Sequence, residues 1–466
     1  MNLPQKFEER MRAMLGDEYE AFISAFENEP IYTGIRVNTL RRNAQAAVEN
    51  EFGALEGVPW CADGFYADKS KISGNHPFHL AGLIYFQEPS AMCAASALPL
   101  KEGDFVLDLC AAPGGKSTQA GAKLKNTGLL VANEIVRSRA AVLAENVERM
   151  GLTNTIVTNE SPDRLARKYP AFFDKIIVDA PCSGEGMFRK EPQAVTEWSV
   201  EHTVSCGERQ KNILISAVEM LKPGGMLVYS TCTFAPEENE KIAAWLVESG
   251  MEIMDMPALS MLTPGRSEWS GTDIDMSKTR RIFTHRNKGE GHFAALFRKS
   301  YGEAPSVEKN EKTGKKRRKN KKSADKSALE AAVKLYREFE KQVMVETLDG
   351  EPLLFGDRLY LKPREIDIDG IKVMRCGLEL GVVKKNRFEP SHALALALDK
   401  DRLKSCVDLE PDDERLLRYL SGEVIPCEAQ GWCVVCVRGY GIGWGKCSGG
   451  LLKNHYPKGL RLKGKI

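Results

Sequence analysis

The chain has 466 residues, 42% of them hydrophobic, so it is long enough for two to four domains with sizeable cores. Its 66 Lys and Arg residues nearly balance its 64 Asp and Glu residues, which gives a formal net charge of +2. The overall charge alone therefore does not indicate a binding partner. The twelve cysteines are scattered, unlike the framework of a small secreted domain. With no predicted signal peptide or membrane-spanning run, we expect a soluble cytoplasmic protein with free thiols.

Residues 1–77 are predicted to form a small α/β appendage. Helical periodicity covers Pro4–Leu15 and the stretch around Tyr19–Glu27. Gly34–Leu40 has the composition and alternation of a strand. Basic residues lie at the edge of this appendage, so it is a candidate surface for a polyanion.

Residues 78–300 show a different pattern, in which short apolar runs alternate with helical periodicity. The predicted strands are Phe105–Leu109, Leu129–Asn133, Thr155–Thr158, Lys175–Asp179, Met226–Ser230 and Phe293–Arg298. The predicted helices are Ser117–Lys125, Val136–Met150, Gly207–Leu221 and Pro236–Glu248. This alternation is typical of a parallel sheet covered by helices on both faces. We expect a doubly wound, Rossmann-like α/β domain whose ligand lies outside the carboxyl ends of the strands.

The chain after residue 300 divides into three further parts. Residues 301–327 are polar and basic and indicate a flexible linker. Residues 328–405 form an intermediate domain that opens with a predicted helix, Ser327–Gln342. Residues 406–466 are rich in strands, and Gly431–Gly445 alternates and turns like a compact β unit.

A glycine turn joins the first predicted strand of the α/β domain to its first helix. Asp108–Ser117 reads Asp-Leu-Cys-Ala-Ala-Pro-Gly-Gly-Lys-Ser, and its two glycines let the backbone approach a ligand closely at a helix start that favours an anion. The glycine spacing matches neither a dinucleotide fold nor a P-loop. Glu134, after the next strand, is placed to bind ribose hydroxyls. A nucleoside with a carboxylate fits, so the turn indicates S-adenosylmethionine; the alternative is a purely structural turn.

Two cysteines follow two other predicted strands of this domain. Cys182 lies in Asp-Ala-Pro-Cys-Ser-Gly and Cys232 in Ser-Thr-Cys-Thr. A thiolate that adds to C6 of a pyrimidine makes C5 nucleophilic enough to take a methyl group. Asp179 lies three residues before Cys182 and is placed to hydrogen-bond the N3/N4 edge of a cytosine. Methylation of an exocyclic amine is less favoured, because no aromatic residue follows the Asp-Ala-Pro segment.

Three of these motifs together resemble the Nop/Sun family of RNA cytosine-5 methyltransferases. They are Asp108–Lys116, Asp179–Gly186 and Ser230–Thr233. The tail and Gly184–Lys190 are similar to the bacterial RsmF-type branch, so the resemblance covers nearly the whole chain. It implies that Cys232 is the nucleophile and that Cys182 assists breakdown of the covalent adduct and product release. DNA cytosine-5 methyltransferases attack with a Pro-Cys cysteine instead, so the inverted assignment stays open.

The same resemblance implies a cofactor site. The residues that match its positions are Cys110, Ala111, Ala112, Pro113, Gly114, Gly115, Lys116, Glu134, Ser161 and Asp179. Asp179 is implied to contact both the cofactor and the target base. Ser161 departs from the family pattern, which carries Asp there, so the adenine-side contact is left open. Lys116 either approaches the base or is a plain lysine at a helix start.

Four cysteines near the end of the chain invite a zinc interpretation. They are Cys427, Cys433, Cys436 and Cys447. Cys433 and Cys436 lie within one predicted strand, where a spacing of three directs side chains to opposite faces, so we expect buried apolar cysteines and no metal. Gly441–Gly445 resembles the glycine-rich turn of a PUA-like RNA-binding module. His285 and His292 lie in or near the last predicted strands of the α/β domain and are expected to be structural.

The sequence therefore predicts transfer of a methyl group from S-adenosylmethionine to C5 of a cytosine in RNA. By the RsmF-type resemblance, the expected substrate is 16S ribosomal RNA, naked or in a partly assembled small subunit, with the target base unpaired or flipped. The appendage and the PUA-like domain are expected to bind RNA on either side of the catalytic domain. The basic linker is either a tether or a phosphate contact.

Two rival functions stay open at this point. One is a tRNA cytosine-5 methyltransferase on the same scaffold, and the other is a non-catalytic RNA-binding factor for ribosome assembly. Cys182, Cys232 and Asp179 are all intact, which argues against the second rival because a binding protein needs none of them. Nothing in the sequence demands more than a monomer.

Overall fold

The computed structural model describes residues 3–301, 319–363 and 366–462. Side chains of the helix that begins at Lys319 are described from residue 326 onward. Most of the predicted basic linker, residues 302–318, lies outside the described residues. Among the helices that are described, none is long and apolar enough to cross a bilayer.

The N-terminal region combines short helices with a three-stranded antiparallel sheet. Its elements are α1 (Gln5–Leu15), α2 (Tyr19–Asn28), β1 (Gly34–Val37), α3 (Ala44–Phe52), β2 (Gly64–Tyr66), α4 (Pro77–Leu80) and β3 (Ile84–Gln87). β1 lies between β2 and β3. Both predicted helices and the strand are confirmed. The strand ends at Val37, before the predicted Leu40, because the Asn38 side chain turns away to bond the carbonyls of Gly82 and Met150.

The first two helices pack against the central region through aromatic side chains. The Phe7 ring centroid lies 5.1 Å from that of Phe188, and the Phe22 centroid lies 5.4 Å from that of Phe234. All four rings are buried. Each buried ring of this size contributes roughly 1.5–3 kcal/mol to stability, so the N-terminal region is firmly attached to the loops beyond the two motif cysteines.

The central region is a sheet covered by helices. Its strands are β4 (Phe105–Asp108), β5 (Leu129–Asn133), β6 (Thr155–Thr158), β7 (Phe173–Asp179), β8 (Leu221–Thr231), β9 (Met251–Met254), β10 (Thr263–Pro264), β11 (Arg280–Ile282) and β12 (His292–Lys299). Its helices are α5 (Cys93–Ala97), α6 (Gly115–Lys123), α7 (Arg137–Arg149), α8 (Pro162–Lys168), α9 (Pro192–Glu197), α10 (Val200–Met220) and α11 (Glu240–Glu248).

The expected Rossmann-like core is present in this sheet. Strands β8, β7, β4, β5 and β6 are neighbours in that order and run parallel. β12 pairs antiparallel with β8, so the sheet is mixed and the last predicted strand is not part of the parallel set. The chain moves from β4 outward to β6 and then returns to the other side of β4 with β7. This reversal creates a switch point at the carboxyl ends of β4 and β7, where α/β folds bind ligands.

The C-terminal region adds a long helix and two further sheets. Its helices are α12 (Lys319–Val343), α13 (His392–Leu396) and α14 (Glu414–Leu420). Its strands are β13 (Glu351–Phe355), β14 (Arg358–Lys362), β15 (Val373–Cys376), β16 (Leu378–Lys384), β17 (Arg387–Pro390), β18 (Cys406–Leu409), β19 (Ile425–Pro426), β20 (Gly431–Val437), β21 (Tyr440–Ser448) and β22 (Leu451–Asn454). The helix predicted from Ser327 begins at Lys319, so the last part of the expected flexible linker is helical. β20 and β21 form the predicted β unit.

One C-terminal strand joins the central sheet. β15 pairs antiparallel with β6 and becomes the edge of that sheet. Beside this pairing, the N–H of Lys372 donates to the Glu160 carboxylate (2.7 Å), and Arg375 pairs with Glu148 (2.9 Å). The sequence did not predict this connection, which attaches the intermediate region directly to the central sheet.

The cysteines of the last sheet occupy both of its faces. Cys433 packs in one cluster with Cys427 and Cys447, whereas Cys436 packs in another, which confirms the predicted alternation. Cys427 and Cys447 form a disulfide, so the expectation of free thiols throughout is wrong for this pair. The pairing of β22 with both β19 and β21 brings the two cysteines together across twenty residues of sequence. Their separation along the chain could not reveal that pairing.

Candidate active site

The predicted site residues converge at the carboxyl ends of β4, β7 and β8. The glycine turn follows β4, Asp179 ends β7, and Cys232 comes directly after β8. Because β4 and β7 are neighbours in the sheet and β8 is next to β7, these three segments meet at one edge. This is the switch point of the fold.

The glycine turn has the backbone conformation that its sequence requires. Gly114 adopts φ +119°, a value that L side chains rarely adopt, and α6 begins at the next residue. A Cβ added at Gly115 would lie 3.1 Å from the Gln87 side chain, so the turn is also closely packed from outside. The Ala111 N–H bonds the Asn133 carbonyl at 2.8 Å, which ties the turn to the end of β5.

Side chains of α7 hold the far side of this turn. Arg139 donates to the carbonyl of Ala112 (3.0 Å), and Asn146 donates to the carbonyl of Pro113 (2.8 Å). Cys110, at the start of the turn, is half-buried, and burial raises the pKa of its thiol. A raised pKa keeps this sulfur protonated and makes it a poor nucleophile.

Arg36 supports the turn from the N-terminal region. Its guanidinium is fully buried and donates to the Gly115 carbonyl (2.8 Å), the Thr118 hydroxyl (2.7 Å) and the Gln87 side chain (2.5 Å). This residue is not among the site residues that the sequence predicts. A basic residue inside an apolar predicted strand was the available signal, since a buried charge requires partners.

Two buried carboxyl groups near the turn have spare acceptor capacity. One oxygen of Asp108 accepts from Ser117 (2.6 Å), and the other is buried with no partner among the described residues; burial raises the pKa of Asp108 to about 7. Glu134 Oε1 accepts the Val136 N–H (2.8 Å), whereas Oε2 has only a 3.7 Å contact with Arg139. Acceptors with spare capacity at the ends of β4 and β5 fit the amine and ribose of S-adenosylmethionine.

Ser161 lies at the end of β6, beside the first turn of α8. Its backbone is extended at φ −74° and ψ 148°, and Pro162 begins the helix. The neighbouring Glu160 is buried, and its carboxylate is bonded to the Lys372 N–H. The role of Ser161 in an adenine-side contact stays a prediction, and the acid beside it already accepts a hydrogen bond from the segment that leads into β15.

Asp179 and Lys116 form an ion pair at the centre of the site. Lys116 Nζ lies 2.7 Å from Asp179 Oδ2, and the Ser230 hydroxyl donates to Oδ1 at 2.8 Å. Burial disfavours the charged carboxylate, but the Lys116 ammonium and these hydrogen bonds outweigh burial and lower the pKa of Asp179. The Asp179 side chain is 29% exposed, so an ionised acid opens into the site.

The two motif cysteines meet beside this ion pair. Their Sγ atoms lie 3.2 Å apart, and the Cys232 N–H donates to Cys182 Sγ at 3.4 Å. The contact with Cys232, together with burial, raises the pKa of Cys182 well above its usual value. Cys182 therefore holds its proton.

Buried carboxyl groups fix the loops that carry both cysteines. Glu238 accepts from the Ser183 hydroxyl (2.5 Å) and N–H (3.0 Å), and burial raises the pKa of Glu238 to about 7. Glu185 accepts from the Thr233 hydroxyl (2.9 Å) and the Trp198 ring N–H (2.9 Å). The sequence did not predict these two acids as supports, because acids in a polar loop are expected to be solvent-exposed unless the fold buries them.

Four family models match successive parts of the chain. They are 16S rRNA methyltransferase RsmB/F (residues 95–298), the N-terminal domain of 16S rRNA methyltransferase RsmF (3–89), the RsmF rRNA methyltransferase first C-terminal domain (338–398) and the methyltransferase RsmF PUA domain (406–462).

Two curated relatives and one solved structure extend this likeness. Ribosomal RNA small subunit methyltransferase F of Vibrio vulnificus (strain YJ016) is 35% identical over 474 residues, with 98% of this chain and 97% of the relative covered. The protein of the same description from Shewanella sp. (strain ANA-3) is 33% identical, with 94% and 92% covered. A methyltransferase homolog from Pyrococcus horikoshii has a crystal structure with a TM-score of 0.57 at 31% identity, covering 64% of this chain and 95% of that one.

These similarities agree with the resemblance that the motifs predicted and with the Rossmann-like core. The relatives match this chain over nearly its full length, including the N-terminal and PUA regions. The chain therefore belongs to the RsmB/F family of 16S ribosomal RNA methyltransferases, in its RsmF branch.

Proposed function

We propose that this protein methylates C5 of a cytosine in 16S ribosomal RNA by covalent catalysis through Cys232. The observation that carries the proposal is the pair of thiols 3.2 Å apart, next to the Lys116–Asp179 ion pair. Methylation of an exocyclic nitrogen needs no thiol, whereas methylation of a pyrimidine carbon needs a nucleophile that first adds to the ring.

S-adenosylmethionine is the methyl donor of this family, and when bound it supplies an electrophilic methyl group. We assign its site to Cys110, Ala111, Ala112, Pro113, Gly114, Gly115, Lys116, Glu134, Ser161 and Asp179. The positive-φ glycine at the start of α6 and the spare acceptors of Asp108 and Glu134 support this assignment.

The first step is addition of the Cys232 thiolate to C6 of the cytosine. A C6–S bond forms, and the electrons of the C5=C6 bond make C5 nucleophilic toward the methyl group. Asp179, ionised because Lys116 lowers its pKa, accepts a hydrogen bond from the N4 amine of the base while the ring gains negative charge. Lys116 neutralises part of that charge.

The last step releases the methylated base. The C5 proton leaves to solvent, the C5=C6 bond forms again, and the C6–S bond breaks with its electron pair returning to Cys232. Cys182 holds its proton, because contact with Cys232 and burial raise its pKa. Its S–H therefore donates to the departing sulfur 3.2 Å away and stabilises the thiolate that leaves.

We further propose that the regions around the catalytic domain bind RNA. In this division, residues 1–77 are an RNA-binding appendage, 78–300 the catalytic domain, 301–327 a linker, 328–405 an intermediate domain and 406–466 a PUA-like domain. The match to an RsmF PUA model supports the last of these. A target base that reaches two half-buried thiols must leave its stack, so an unpaired or flipped nucleotide is expected.

Adduct trapping tests the covalent step. With full-length protein, 16S rRNA and S-adenosylmethionine, Cys182→Ala should accumulate a protein–RNA adduct that resists denaturation, and Cys232→Ala should form none. Cys406→Ala, a half-buried cysteine of β18, is the control and should turn over normally. The opposite pattern reverses the two roles. Full turnover by Cys232→Ser rejects the covalent mechanism.

Bisulfite sequencing of ribosomal and transfer RNA from a deletion strain tests the substrate. Loss of a 5-methylcytosine in 16S rRNA supports the proposal. Loss of a tRNA mark alone would make the protein a tRNA methyltransferase, and no lost mark would make it an assembly factor. Complementation with Cys232→Ala is the control, because it restores the protein without its proposed nucleophile.

A further inference from the structure

We propose that His292 binds the exocyclic amine of the target cytosine and thereby excludes uracil. The inference rests on the proposed function, since it requires a pyrimidine beside Asp179. The sequence predicts a structural role for His292. Its position in the sheet and one unpartnered nitrogen indicate a contact with the substrate instead.

Strand register places His292 on the wall of the site. Asp179 pairs with Ser230 across β7 and β8, and Ser230 pairs with Ala294 across β8 and β12. Residues paired across strands share a face of the sheet, as do residues two apart on one strand. His292, two residues before Ala294, therefore shares the face of Asp179. If this register is continued by one residue, His292 lies opposite Cys232.

The imidazole is buried with one nitrogen unused. Its side chain is 2% exposed, and Nε2 has no hydrogen-bond partner among the described residues. Nε2 lies 3.6 Å from Asp179 Oδ1, which is too long for a hydrogen bond. Burial lowers the pKa of His292 to about 4, so the ring is neutral. In the proposed complex the ring proton is on Nδ1, and the Nε2 lone pair is free to accept a hydrogen bond from the base.

Nε2 and Asp179 Oδ1 are therefore two adjacent acceptors. The N4 amine of cytosine has two N–H donors, one for each, whereas uracil has the acceptor O4 at the same position. Two acceptors bonded to one amine lie about 5 Å apart if each bond is about 2.9 Å. The 3.6 Å gap must then widen by about 1.4 Å, and no hydrogen bond between the two groups opposes this.

Asp179 alone does not supply both acceptors. Its Oδ2 is paired with Lys116 Nζ at 2.7 Å, and its Oδ1, which accepts from Ser230 at 2.8 Å, has one further lone pair for the amine. A second acceptor on the same wall is needed to bond the other amine hydrogen, and His292 Nε2 supplies it. A site whose buried acceptors are left facing O4 rejects uracil strongly, because those groups lose water without gaining a partner.

The test measures adduct formation with two RNAs that differ in one base. Full-length Cys182→Ala protein is incubated with 16S rRNA carrying cytosine or uridine at the position mapped by bisulfite sequencing. His292→Phe keeps a ring of similar size and removes the acceptor. His292→Gln returns an acceptor at a similar distance from the backbone. Thermal unfolding and S-adenosylmethionine binding are measured for each protein, and both should match the parent.

We expect His292→Phe to slow the adduct with cytosine by about tenfold and to reduce the preference for cytosine over uridine by at least tenfold. His292→Gln should recover most of that preference. A folded His292→Phe protein with an unchanged preference overturns the inference, and so does a loss that is equal for both bases. No adduct in the Cys182→Ala parent with either RNA overturns the proposed covalent function itself.

Discussion

Lys116 Nζ lies 2.7 Å from Asp179 Oδ2, so one contact joins the first turn of α6 to the end of β7. The turn before α6 is assigned to the cofactor, and the loop after β7 carries Cys182. In the proposed mechanism, the ion pair therefore couples the position of the methyl donor to that of the base. A substitution at either residue should lower kcat more than it lowers the free energy of unfolding.

Replacing Lys116 by Met should reduce kcat by about 100-fold. The Asp179 carboxylate would lose the ammonium that keeps its pKa low against burial. Its pKa should rise, and the acidic limb of the pH–rate profile should move to higher pH. Lys123→Met is the matched control, because this lysine of the same helix bonds the Ala95 carbonyl and not Asp179. An unshifted acidic limb in Lys116→Met would contradict the assigned role of the pair.

Replacing Arg36 by Lys should weaken binding of S-adenosylmethionine by about tenfold, measured by calorimetry. The guanidinium bonds Gly115, Thr118 and Gln87 at once, and an ammonium cannot reproduce that fork. The control is Arg42→Lys, whose side chain is 78% exposed and pairs with Asp401. Equal affinities in the two variants would show that the N-terminal region does not support the cofactor turn.

Replacing Arg281 by Met should lower the free energy of unfolding by about 3–5 kcal/mol. Arg281 and Glu240 form a fully buried pair, and Arg281 also donates to the Phe234 carbonyl (2.9 Å) beyond the second cysteine motif. The comparison is Arg298→Met, whose partner Glu252 is exposed and whose loss should change stability by less than about 1 kcal/mol. Urea unfolding of both variants decides this. Equal losses of unfolding free energy in the two variants would contradict the prediction.

The stability of the protein relative to His392→Phe should fall as the pH drops from about 6.5 to 4. Burial lowers the pKa of His392 to about 4, from an ordinary 6.5. Between these values the unfolded chain binds a proton that the folded one excludes, so acid favours unfolding. Melting temperatures of both proteins at several pH values measure the effect. A difference independent of pH would refute it.

The denatured protein should expose ten thiols without reductant and twelve with it. Ten cysteines are free, and Cys427 and Cys447 are joined. Thiol titration and peptide mass spectrometry count and locate them. Cys433 Sγ lies 3.3 Å from Cys447 Sγ, so the same spectra should be searched for the exchanged Cys433–Cys447 pair. Twelve thiols in the unreduced protein would contradict the pairing.

The elements that carry the motifs were predictable because local sequence determines them. β5 and β6 have the predicted bounds, and the glycine turn, Asp179 and the two cysteines follow strands whose apolar runs signal burial on both faces. A parallel core with its switch point followed from that alternation. The sequence therefore predicts that these residues lie close together in the fold.

What the sequence could not predict are contacts between distant segments. Arg36 hydrogen-bonds α6 from a strand about eighty positions earlier in the chain. Neither the sequence of the strand nor that of the helix predicts this contact. His292 carries no motif, and only the register of β12 against β8 reveals that it faces Asp179. The Cys427–Cys447 disulfide likewise depends on how the last strands pair. Long-range pairing, unlike helix or strand formation, leaves little trace in a single sequence.

The pairing of β15 with β6 has a consequence for fragments of this enzyme that lack its C-terminal regions. A fragment ending near residue 300 would strip the edge strand from the catalytic sheet and expose the hydrogen-bonding groups of Thr155–Thr158. It would also release the Glu160 carboxylate, which is bonded to the Lys372 N–H. Such a fragment should self-associate in size-exclusion chromatography, and truncation is therefore a poor way to isolate the methyl-transfer reaction from RNA binding.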